Sequence, residues 1–201
     1  MRISGGAARG RPIHVPRGIA LRPTSDRIKE SLFAVLRQVE GKAFLDLFAG
    51  SGSVGLEALS RGAAQAVFVE KDVRLVRAMR TILVEHGFAG RYQIFAMEVR
   101  KCIKLLAGQR RRFEVIFADP PYDRGLAGET LRHLAEGSIV APDGIVVVQH
   151  SAREVVEASC GEGLMLTDQR RYGDTVLSFL KPTLHAEREA YEESSGISGF
   201  F

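Results

Sequence analysis

The sequence contains few of the residues that metal sites and disulfide frameworks require. It has two cysteines, Cys102 and Cys160, and no tryptophan among 201 residues. The two cysteines lack C-x-x-C spacing, so neither a zinc site nor a disulfide framework is indicated. We therefore expect reduced, structural thiols and no metal ion.

Long hydrophobic runs are also missing. No stretch approaches the roughly 20 apolar residues that cross a bilayer. The first residues, MRISGGAARGR, lack the apolar segment of a signal peptide. These absences predict a cytoplasmic protein without membrane association.

Composition and charge divide the chain into three regions. Hydrophobic residues make up 45% of the sequence, which is enough for one substantial core. Residues 1–42 contain nine Lys or Arg against three acids, a net charge of +6, whereas residues 182–201 contain one Arg against four Glu, a net charge of −3. We predict a basic hairpin and helix extension over 1–40, a main ligand-binding domain over 41–181 and a disordered acidic tail over 182–201.

The most informative stretch is AFLDLFAGSGSVG, at residues 43–55. Its first seven residues are apolar except for Asp46, a pattern typical of a central parallel strand that is covered on both faces. Gly50, Gly52 and Gly55 then have the G-x-G-x-x-G spacing. Such glycines permit a tight turn, close approach of backbone to a ligand, and close packing of the next helix. The glycines could also serve packing alone.

A second predicted strand, Ala66–Val69, favours ligand binding over packing because it ends in Glu70. Glu70 follows Gly50 by twenty positions, which suits a carboxylate that binds the two hydroxyls of a ribose. Asp46 would repel a pyrophosphate but could accept hydrogen bonds from the ammonium group of a methionine moiety. The stretch therefore favours S-adenosylmethionine over a dinucleotide.

The rest of the chain alternates helices and strands. This order predicts an α/β fold with a doubly wound, mostly parallel, seven-stranded sheet. The predicted helices are a first one from a cap at Thr24 or Ser25 to Val39, then Val54–Arg61, Val73–His86, Val99–Leu106 and Leu126–Glu136. The predicted strands are Ala43–Ala49, Ala66–Val69, Tyr92–Ala96, Phe113–Ala118, Gly144–Gln149, Leu164–Arg170 and Thr175–Leu180.

Arginines are concentrated in the predicted N-terminal hairpin, whose strands are expected at Met1–Ser4 and Ile13–Val15. An ordinary solvated basic surface would explain them. Their loops, marked by Gly and Pro, also suit contacts with phosphates, so we favour binding to a nucleic-acid backbone. The candidate residues are Arg9, Arg11, Arg17 and Arg22.

The second chemical motif is D-P-P-Y, from Asp119 to Tyr122, at the end of the predicted strand Phe113–Ala118. Pro120 and Pro121 stiffen the loop and remove backbone donors, so Asp119 and the Pro120 carbonyl form a rigid pair of acceptors. These acceptors suit the N–H groups of an exocyclic base amine, and Tyr122 offers a face for stacking. A purely structural turn is the alternative, but the position of the loop in a nucleotide-binding sheet favours a catalytic role.

These motifs together resemble class I S-adenosylmethionine-dependent methyltransferases that modify base amines, and the flanking segments resemble the RsmD family. The segments are MRISGGAARGR, RPTSDRIKESLF, DLFAGSGSVGLEALSRGA, VEKD and YGDT. The similarity covers about residues 1–181. It implies a Rossmann-like class I methyltransferase fold and transfer of a methyl group to N2 of one guanine in 16S ribosomal RNA. The expected partner is this RNA within a small ribosomal subunit or an assembly intermediate, and the expected state is a monomer.

The resemblance also implies which residues contact the cofactor, and it departs from the family at two places. Met97-Glu98-Val99 replaces the usual G-D-A, so the adenine contact would fall to Glu98. Gln149-His150 ends the fifth strand where Glu is common, and no role carries over there. The implied cofactor contacts are Asp46, Phe48, Ala49, Gly50, Ser51, Gly52, Gly55, Glu70, Lys71, Glu98 and Val99.

Three other functions stay open at this point. D-P-P-Y would also serve a DNA methyltransferase acting on adenine N6 or cytosine N4. G-x-G-x-x-G with Glu70 would permit a nicotinamide-dependent oxidoreductase, although D-P-P-Y would then have no task. A non-catalytic RNA-binding assembly factor could keep the fold, but the intact Asp119 and glycine turn argue against it.

Overall fold

An eight-stranded sheet forms the centre of the computed structural model, which describes residues 1–14, 24–160 and 163–183. Its strands in chain order are β1 (Ala43–Leu47), β2 (Gln65–Val69), β3 (Tyr92–Phe95), β4 (Phe113–Ala118), β5 (Val140–Ser151), β6 (Ser159–Cys160), β7 (Leu164–Tyr172) and β8 (Thr175–Pro182). The spatial order is β3-β2-β1-β4-β5-β8-β7-β6. The pairs from β3 to β5 are parallel, whereas the pairs involving β8, β7 and β6 are antiparallel.

Five helices of the described residues cover the two faces of this sheet. They are α1 (Asp26–Leu36), α2 (Ser53–Ser60), α3 (Val73–Glu85), α4 (Val99–Gly108) and α5 (Leu126–Gly137). The apolar sides of α1, α2 and α3 share one core with the N-terminal residues Ile3 and Ile13. The apolar sides of α4 and α5 form the second core, on the opposite face. Strands β1 and β4 lie between the two cores, which explains why their sequences are apolar except for Asp46 and Glu114.

The structure confirms the predicted α/β class I methyltransferase fold and its mostly parallel sheet. All seven predicted strands of the sheet are present, and the two-residue strand β6 is added at one edge. Strand β5 begins four residues earlier than predicted. A register shift separates the pair Phe113 and Val140 from the pair Val115 and Ile145, so the intervening residues protrude. Pro142 lies in this bulge, where a residue without an N–H group is tolerated.

The predicted N-terminal hairpin is shorter than expected. Its pairing consists of one antiparallel bridge, between Arg2 and Pro12, and hydrogen bonds join Ile3 with Arg11 and Ile13 with Met1. Three glycines between residues 5 and 10 and a proline without an N–H group limit a longer ladder. Val15, Arg17 and Arg22 lie outside the described residues, as does the tail after residue 183.

Helix α1 has the predicted start and an earlier end. Ser25 is the N-cap, and its hydroxyl accepts the Ile28 N–H at 3.3 Å. The helix ends at Leu36 rather than Val39, because Arg37 has a positive φ of 54° that interrupts the helical backbone. In the described part of the chain, no helix has the length and apolar character needed to cross a bilayer.

The strand order determines where a ligand can bind. Strand β1 leads by a crossover to β2 on one side and pairs with β4 on the other, so the order of strands reverses beside it. Ligands of open α/β sheets bind at the carboxyl ends of the strands next to such a reversal. The residues that follow β1, β2, β3 and β4 therefore meet at one edge.

Candidate active site

A cavity of about 710 Å³ opens at this edge, within the size range of small-molecule sites. Its wall includes Phe48–Ser51 after β1, Glu70 and Lys71 after β2, Met97–Arg100 after β3 and Asp119–Tyr122 after β4. Asp46 also lines it. The structure thus brings the predicted catalytic residues and most of the predicted cofactor residues to one cavity.

The turn after β1 depends on backbone that only some residues adopt. Gly50 and Gly52 have φ of 56° and 73°, and Phe48 has a φ of 59°, which is unusual for a bulky residue. A Cβ atom on Gly52 would lie 2.9 Å from Cγ of Met79 in α3. The second glycine therefore allows α3 to pack beneath the turn, while Gly50 itself faces the cavity.

Gly55 and Asp46 form a buried contact behind the turn. A Cβ atom on Gly55 would lie 2.3 Å from Cε1 of Phe68 in β2, so α2 packs on the sheet only with glycine here. The Gly55 N–H donates to Oδ2 of Asp46 at 2.9 Å. Asp46 is 2% exposed, and its burial raises the pKa of the carboxyl group well above the usual 3.8, with the charges of Asp119 and Glu70 acting in the same direction.

Glu70 is held in place by two backbone donors. Its Oε2 accepts the N–H of Gly50 at 2.8 Å, and its Oε1 accepts the N–H of Asp72 at 2.8 Å. These contacts connect the end of β2 with the glycine turn after β1 and leave the carboxylate on the cavity wall. A carboxylate fixed in this way is preorganised to accept hydroxyl groups.

The residues after β3 form a more exposed part of the wall. Glu98 is the N-cap residue of α4, although its side chain makes no capping hydrogen bond. The Glu98 carboxylate is 64% exposed and lies 3.3 Å from Nζ of Lys101. Val99, the first residue of α4, is half-buried beside it and also lines the cavity.

The D-P-P-Y loop continues directly from β4. The Asp119 N–H donates to the Leu47 carbonyl at 3.3 Å, which keeps the loop beside β1. Oδ2 of Asp119 lies 3.5 Å from Oγ1 of Thr24, and Oδ1 accepts a hydrogen bond from Nε2 of Gln149 at 3.0 Å. Pro120 is buried, which fixes the position of the acceptor loop.

Several residues that the sequence analysis did not assign to the site lie within or beside it. Gln149 also donates to the Tyr122 hydroxyl at 3.0 Å, and that hydroxyl lies 3.5 Å from Oγ1 of Thr175. The sequence could have indicated Gln149, because it is a polar residue that directly follows the buried run Val146–Val148 in β5. Polar and charged side chains of the cavity wall that the sequence analysis did not assign include those of Arg100, Arg124, Glu129, Thr130 and His133.

The described arginines of the N-terminal segment are not part of the cavity wall. Met1 lies at the start of α2, where its sulfur is 3.9 Å from Oγ of Ser51. The loop that carries Arg9 and Arg11 instead lies at the other end of α2, where Ala8 N–H donates to Oγ of Ser60 at 2.8 Å. The eight residues of α2 correspond to about 12 Å. Arg9 and Arg11 are exposed. Their loop is therefore separated from the glycine turn by about the length of α2.

Metal coordination and a reactive thiol are two further kinds of chemistry to consider among the described residues. No group of three or more His, Cys, Asp or Glu placed for a metal ion occurs among them. Cys102 is buried in α4, and its burial raises the thiol pKa to about 11, so it has little thiolate at neutral pH. The Cys102 thiol is thus structural.

Proteins of known sequence and structure resemble this chain over most of its length. Ribosomal RNA small subunit methyltransferase D of Escherichia coli K12 is 38% identical over 150 residues, which are 74% of each chain. The solved structure of E. coli yhhF has a TM-score of 0.80 at 28% identity and covers 92% of this chain and 99% of its own. The structure of a hypothetical protein of Thermus thermophilus, TTHA0928, has a TM-score of 0.76 at 34% identity. The match covers 90% of this chain and 99% of the Thermus protein.

S-adenosylmethionine is the cofactor of a methyltransferase with this fold, and the cavity fits that molecule. Asp46 lies close enough to Glu70 and to Asp119 to interact electrostatically with each of them, and all three acids line the cavity. Such a concentration of negative charge opposes a pyrophosphate but favours the positively charged groups of S-adenosylmethionine. The same observation disfavours the nicotinamide-dependent oxidoreductase.

The family of the chain follows from a match along most of its length. The family profile described as Conserved hypothetical protein 95 matches residues 1–181, which include the N-terminal segment, the glycine turn, the D-P-P-Y loop and β8. The relative from E. coli K12 supports the same grouping. The chain belongs to the RsmD family of methyltransferases.

Proposed function

We propose that this protein transfers a methyl group from S-adenosylmethionine to the exocyclic N2 amine of a specific guanine in 16S ribosomal RNA. The observation that carries the proposal is the Asp119 carboxylate on the cavity wall, at the end of β4 and followed by Pro120, Pro121 and Tyr122. A relative named ribosomal RNA small subunit methyltransferase D supports ribosomal RNA as the substrate.

In this proposal the cofactor residues divide into three groups. The Glu70 carboxylate, fixed by Gly50 and Asp72, binds the ribose hydroxyls. Glu98 and Val99 contact the adenine. Asp46 accepts hydrogen bonds from the ammonium of the methionine moiety, and that positive charge favours the ionised form of the buried carboxyl group. The turn after β1 supplies backbone groups for that moiety, and Lys71 borders the ribose site. The turn residues are Phe48, Ala49, Gly50, Ser51, Gly52 and Gly55.

The catalytic residues position an amine that is a poor nucleophile. When bound, S-adenosylmethionine supplies an electrophilic methyl group on a sulfonium. The lone pair of guanine N2 is delocalised into the ring, and acceptance of its N–H groups by Asp119 and the Pro120 carbonyl makes that lone pair more available and directs it. Tyr122 provides a face on which the guanine stacks. A strong base is unnecessary, because the proton can leave after transfer.

The amine must first become accessible. A guanine paired in a stem hides N2, so the target is an unpaired or flipped-out base, and arginines hold the phosphates around it. Arg9, Arg11, Arg17 and Arg22 are proposed for this contact. We propose a monomeric cytoplasmic enzyme that acts on the RNA within a small ribosomal subunit or an assembly intermediate.

One experiment tests the reaction, the base and the polymer together. The purified protein is incubated with tritiated S-adenosylmethionine and, separately, with small subunits that lack its modification, with deproteinised 16S RNA and with DNA. Nucleoside digestion and mass spectrometry should then give N2-methylguanosine from the RNA samples, and the Asp119→Ala protein serves as the control. Methylation of DNA adenine N6 or cytosine N4, or of a different RNA atom, would contradict the proposal.

A further inference from the structure

Gln149 occupies a distinctive position at the end of β5. Its side chain is buried, with 4% of the residue exposed. Its single amide NH₂ group donates to Oδ1 of Asp119 and to the Tyr122 hydroxyl, each at 3.0 Å. The two donor hydrogens of Gln149 are thus used on the first and last residues of the D-P-P-Y loop.

Asp119 determines the orientation of this amide. A carboxylate accepts hydrogen bonds only, so the NH₂ group must face it, and the reversed amide would place two oxygens against each other. In this orientation Oε1 of Gln149 is buried and has no hydrogen-bond partner among the described residues. A buried carbonyl oxygen without a partner destabilises a folded protein. Stability alone therefore does not account for glutamine here.

The surroundings extend the same network. The Tyr122 hydroxyl lies 3.5 Å from Oγ1 of Thr175 at the start of β8, and Thr24 contacts the other oxygen of Asp119. Asp46 is a further acid that interacts electrostatically with Asp119. His150, the next residue in β5, contacts the Ser151 carbonyl and the Ser178 hydroxyl instead. Asp119 and Tyr122 are thus linked through Gln149.

We infer that Gln149 is a positioning residue that holds the Asp119 carboxylate and the Tyr122 ring in a fixed relation to the target amine. This inference rests on the proposed function. The amide does not touch the reacting atoms; it acts by restraining the two side chains that do. Loss of its hydrogen bonds should therefore affect kcat rather than the binding of the cofactor.

Because the side-chain amide of Gln149 is neutral, its hydrogen bond to Asp119 does not require a titratable proton on residue 149. Glutamate at this position could donate to Asp119 only while protonated. Two carboxylates about 3 Å apart do not both ionise readily, so the pair would retain one shared proton up to a raised pH. Loss of that proton at higher pH would remove the hydrogen bond between the two side chains. Gln149 donates at every pH. The wild-type protein should therefore lack the loss of kcat at higher pH that Gln149→Glu introduces.

The test compares Gln149→Met, Gln149→Glu and the wild-type protein in methyl transfer to the RNA. Gln149→Met should lower kcat by about tenfold or more, while the Kd for S-adenosylmethionine and the KM for RNA change by less than about twofold. Gln149→Glu should retain most of the wild-type kcat at pH 6 and lose it progressively as pH rises. Gln169→Met is the matched control, because Gln169 in β7 bonds Ser178 outside the loop network and this variant should keep the wild-type kcat.

Each outcome decides between distinct explanations. An inactive wild-type protein would contradict the proposed function, whereas an active wild-type protein with a normal kcat for Gln149→Met would overturn the inference about Gln149. Should Gln149→Met fail to fold, the nearly isosteric Gln149→Glu decides alone. A kcat profile for Gln149→Glu that parallels the wild-type profile from pH 6 to pH 9 would also overturn it.

Discussion

Carboxylates of the cavity have different partners and therefore suit different tasks. Asp46 accepts a backbone N–H within the core, Glu70 accepts two backbone N–H groups, and Asp119 accepts side-chain donors from Gln149 and Thr24. Backbone donors fix a carboxylate rigidly, which suits a binding group. The side-chain donors to Asp119, which are Gln149 in β5 and Thr24 before α1, leave its half-buried carboxylate on the cavity wall, where an arriving base can meet it.

Asp119 is predicted to control methyl transfer and to contribute little to cofactor affinity. Asp119→Ala should reduce kcat by about 100-fold or more, because it removes the group that positions and polarises the reacting amine. Asp119→Asn should retain partial activity, since its amide oxygen still accepts one hydrogen bond and its NH₂ group can face the Thr24 hydroxyl. Single-turnover kinetics with ribosomal RNA measure the rate, and calorimetry measures cofactor affinity.

Two results would contradict this role. Near-normal turnover of Asp119→Ala would make the D-P-P-Y loop structural. An Asp119→Asn protein as inactive as Asp119→Ala would show that negative charge or proton removal, rather than acceptance of a hydrogen bond, is required. Thermal unfolding of both variants separates these effects from loss of the fold.

Glu70 is predicted to determine cofactor affinity. Glu70→Ala should weaken binding of S-adenosylmethionine by about 1 to 3 kcal/mol, the range for losing charge-assisted hydrogen bonds. Part of this loss would come from the Gly50 N–H, which also loses its acceptor. Titration calorimetry gives the affinity, and Glu85→Ala at the exposed end of α3 is the control. An unchanged Kd for Glu70→Ala would exclude the ribose role.

Asp46 is predicted to make stability depend on pH. Its pKa in the folded protein is raised above 3.8, mainly by burial, so the unfolded chain loses the proton at a lower pH than the folded one. The free energy of unfolding should therefore fall as pH rises from about 4 through the folded pKa and then level off. Asp46→Asn keeps an acceptor for Gly55 and should lack this dependence.

Urea unfolding of the wild-type protein and Asp46→Asn at several pH values measures the effect. As pH rises, the free energy of unfolding of the wild-type protein should fall relative to that of Asp46→Asn. Parallel pH profiles for the two proteins would show that Asp46 does not retain its proton in the folded state. The position of this destabilising acid beside the glycine turn is consistent with a binding role.

Contacts that a known spacing motif encodes could be predicted from the sequence, whereas side-chain contacts without such a motif could not. Glu70 and Gly50 lie together on the cavity wall, and their spacing within one βαβ unit explains why the sequence indicates this proximity. The contact of Gln149 with Asp119 joins residues 30 positions apart across two strands, and no local pattern encodes that pairing. The roles of the site residues themselves stay predictions until the variants are measured.

The elements were predictable where periodicity and turn residues agree. Helix α3 begins at Val73, as predicted, and ends one residue before the predicted His86. Strand β4 has the predicted bounds, because a continuous apolar run ends there in a polar, proline-containing loop. The N-terminal pairing was overestimated, because tertiary packing of Ile3 and Ile13 holds this segment more than a strand ladder does.

A buried ionic cluster attaches this segment to α1 and α2. Nζ of Lys29 lies 2.6 Å from the Arg2 carbonyl, 3.0 Å from Oδ1 of Asp26 and 4.0 Å from Oε2 of Glu57. Glu57 also accepts hydrogen bonds from Ser4 N–H at 2.7 Å and from Nε of Arg61 at 2.8 Å. Lys29 and Glu57 are both fully buried. Their burial makes the cluster sensitive to loss of one member.

Lys29→Met is predicted to lower the free energy of unfolding by about 3 kcal/mol. This is the lower end of the range for breaking a buried pair, because Arg61 and Ser4 still contact Glu57. Lys101→Met is a close control: Lys101 also pairs with an acid three residues earlier in the chain, but both side chains are exposed, so the loss should stay below about 1 kcal/mol. Equal losses in the two variants, measured by urea unfolding, would show that burial of Lys29 has no special effect.

At the scale of the whole molecule, basic groups occur both in the cavity and at a distance from it. Arg100 and Arg124 line the cavity itself, whereas Arg9 and Arg11 lie near the far end of α2. NH1 of Arg11 donates to the His86 carbonyl at 3.2 Å, so the arginine-bearing loop also contacts the end of α3. A contact with RNA there would be remote from the target base. It would add affinity and orientation without touching the reaction.

The double variant Arg9→Ala, Arg11→Ala is predicted to weaken RNA binding while leaving cofactor affinity unchanged. Each lost phosphate contact reduces the slope of log K against log salt by about one unit, so the double variant should flatten it by about two. The control is Lys104→Ala, Arg132→Ala, which removes the same charge from exposed positions on α4 and α5, across the sheet. Binding of 16S RNA between about 50 and 200 mM salt, a range over which phosphate contacts make affinity fall steeply, measures both slopes. Equal slopes for the two double variants would show that Arg9 and Arg11 are ordinary surface charges that make no specific contact with the RNA.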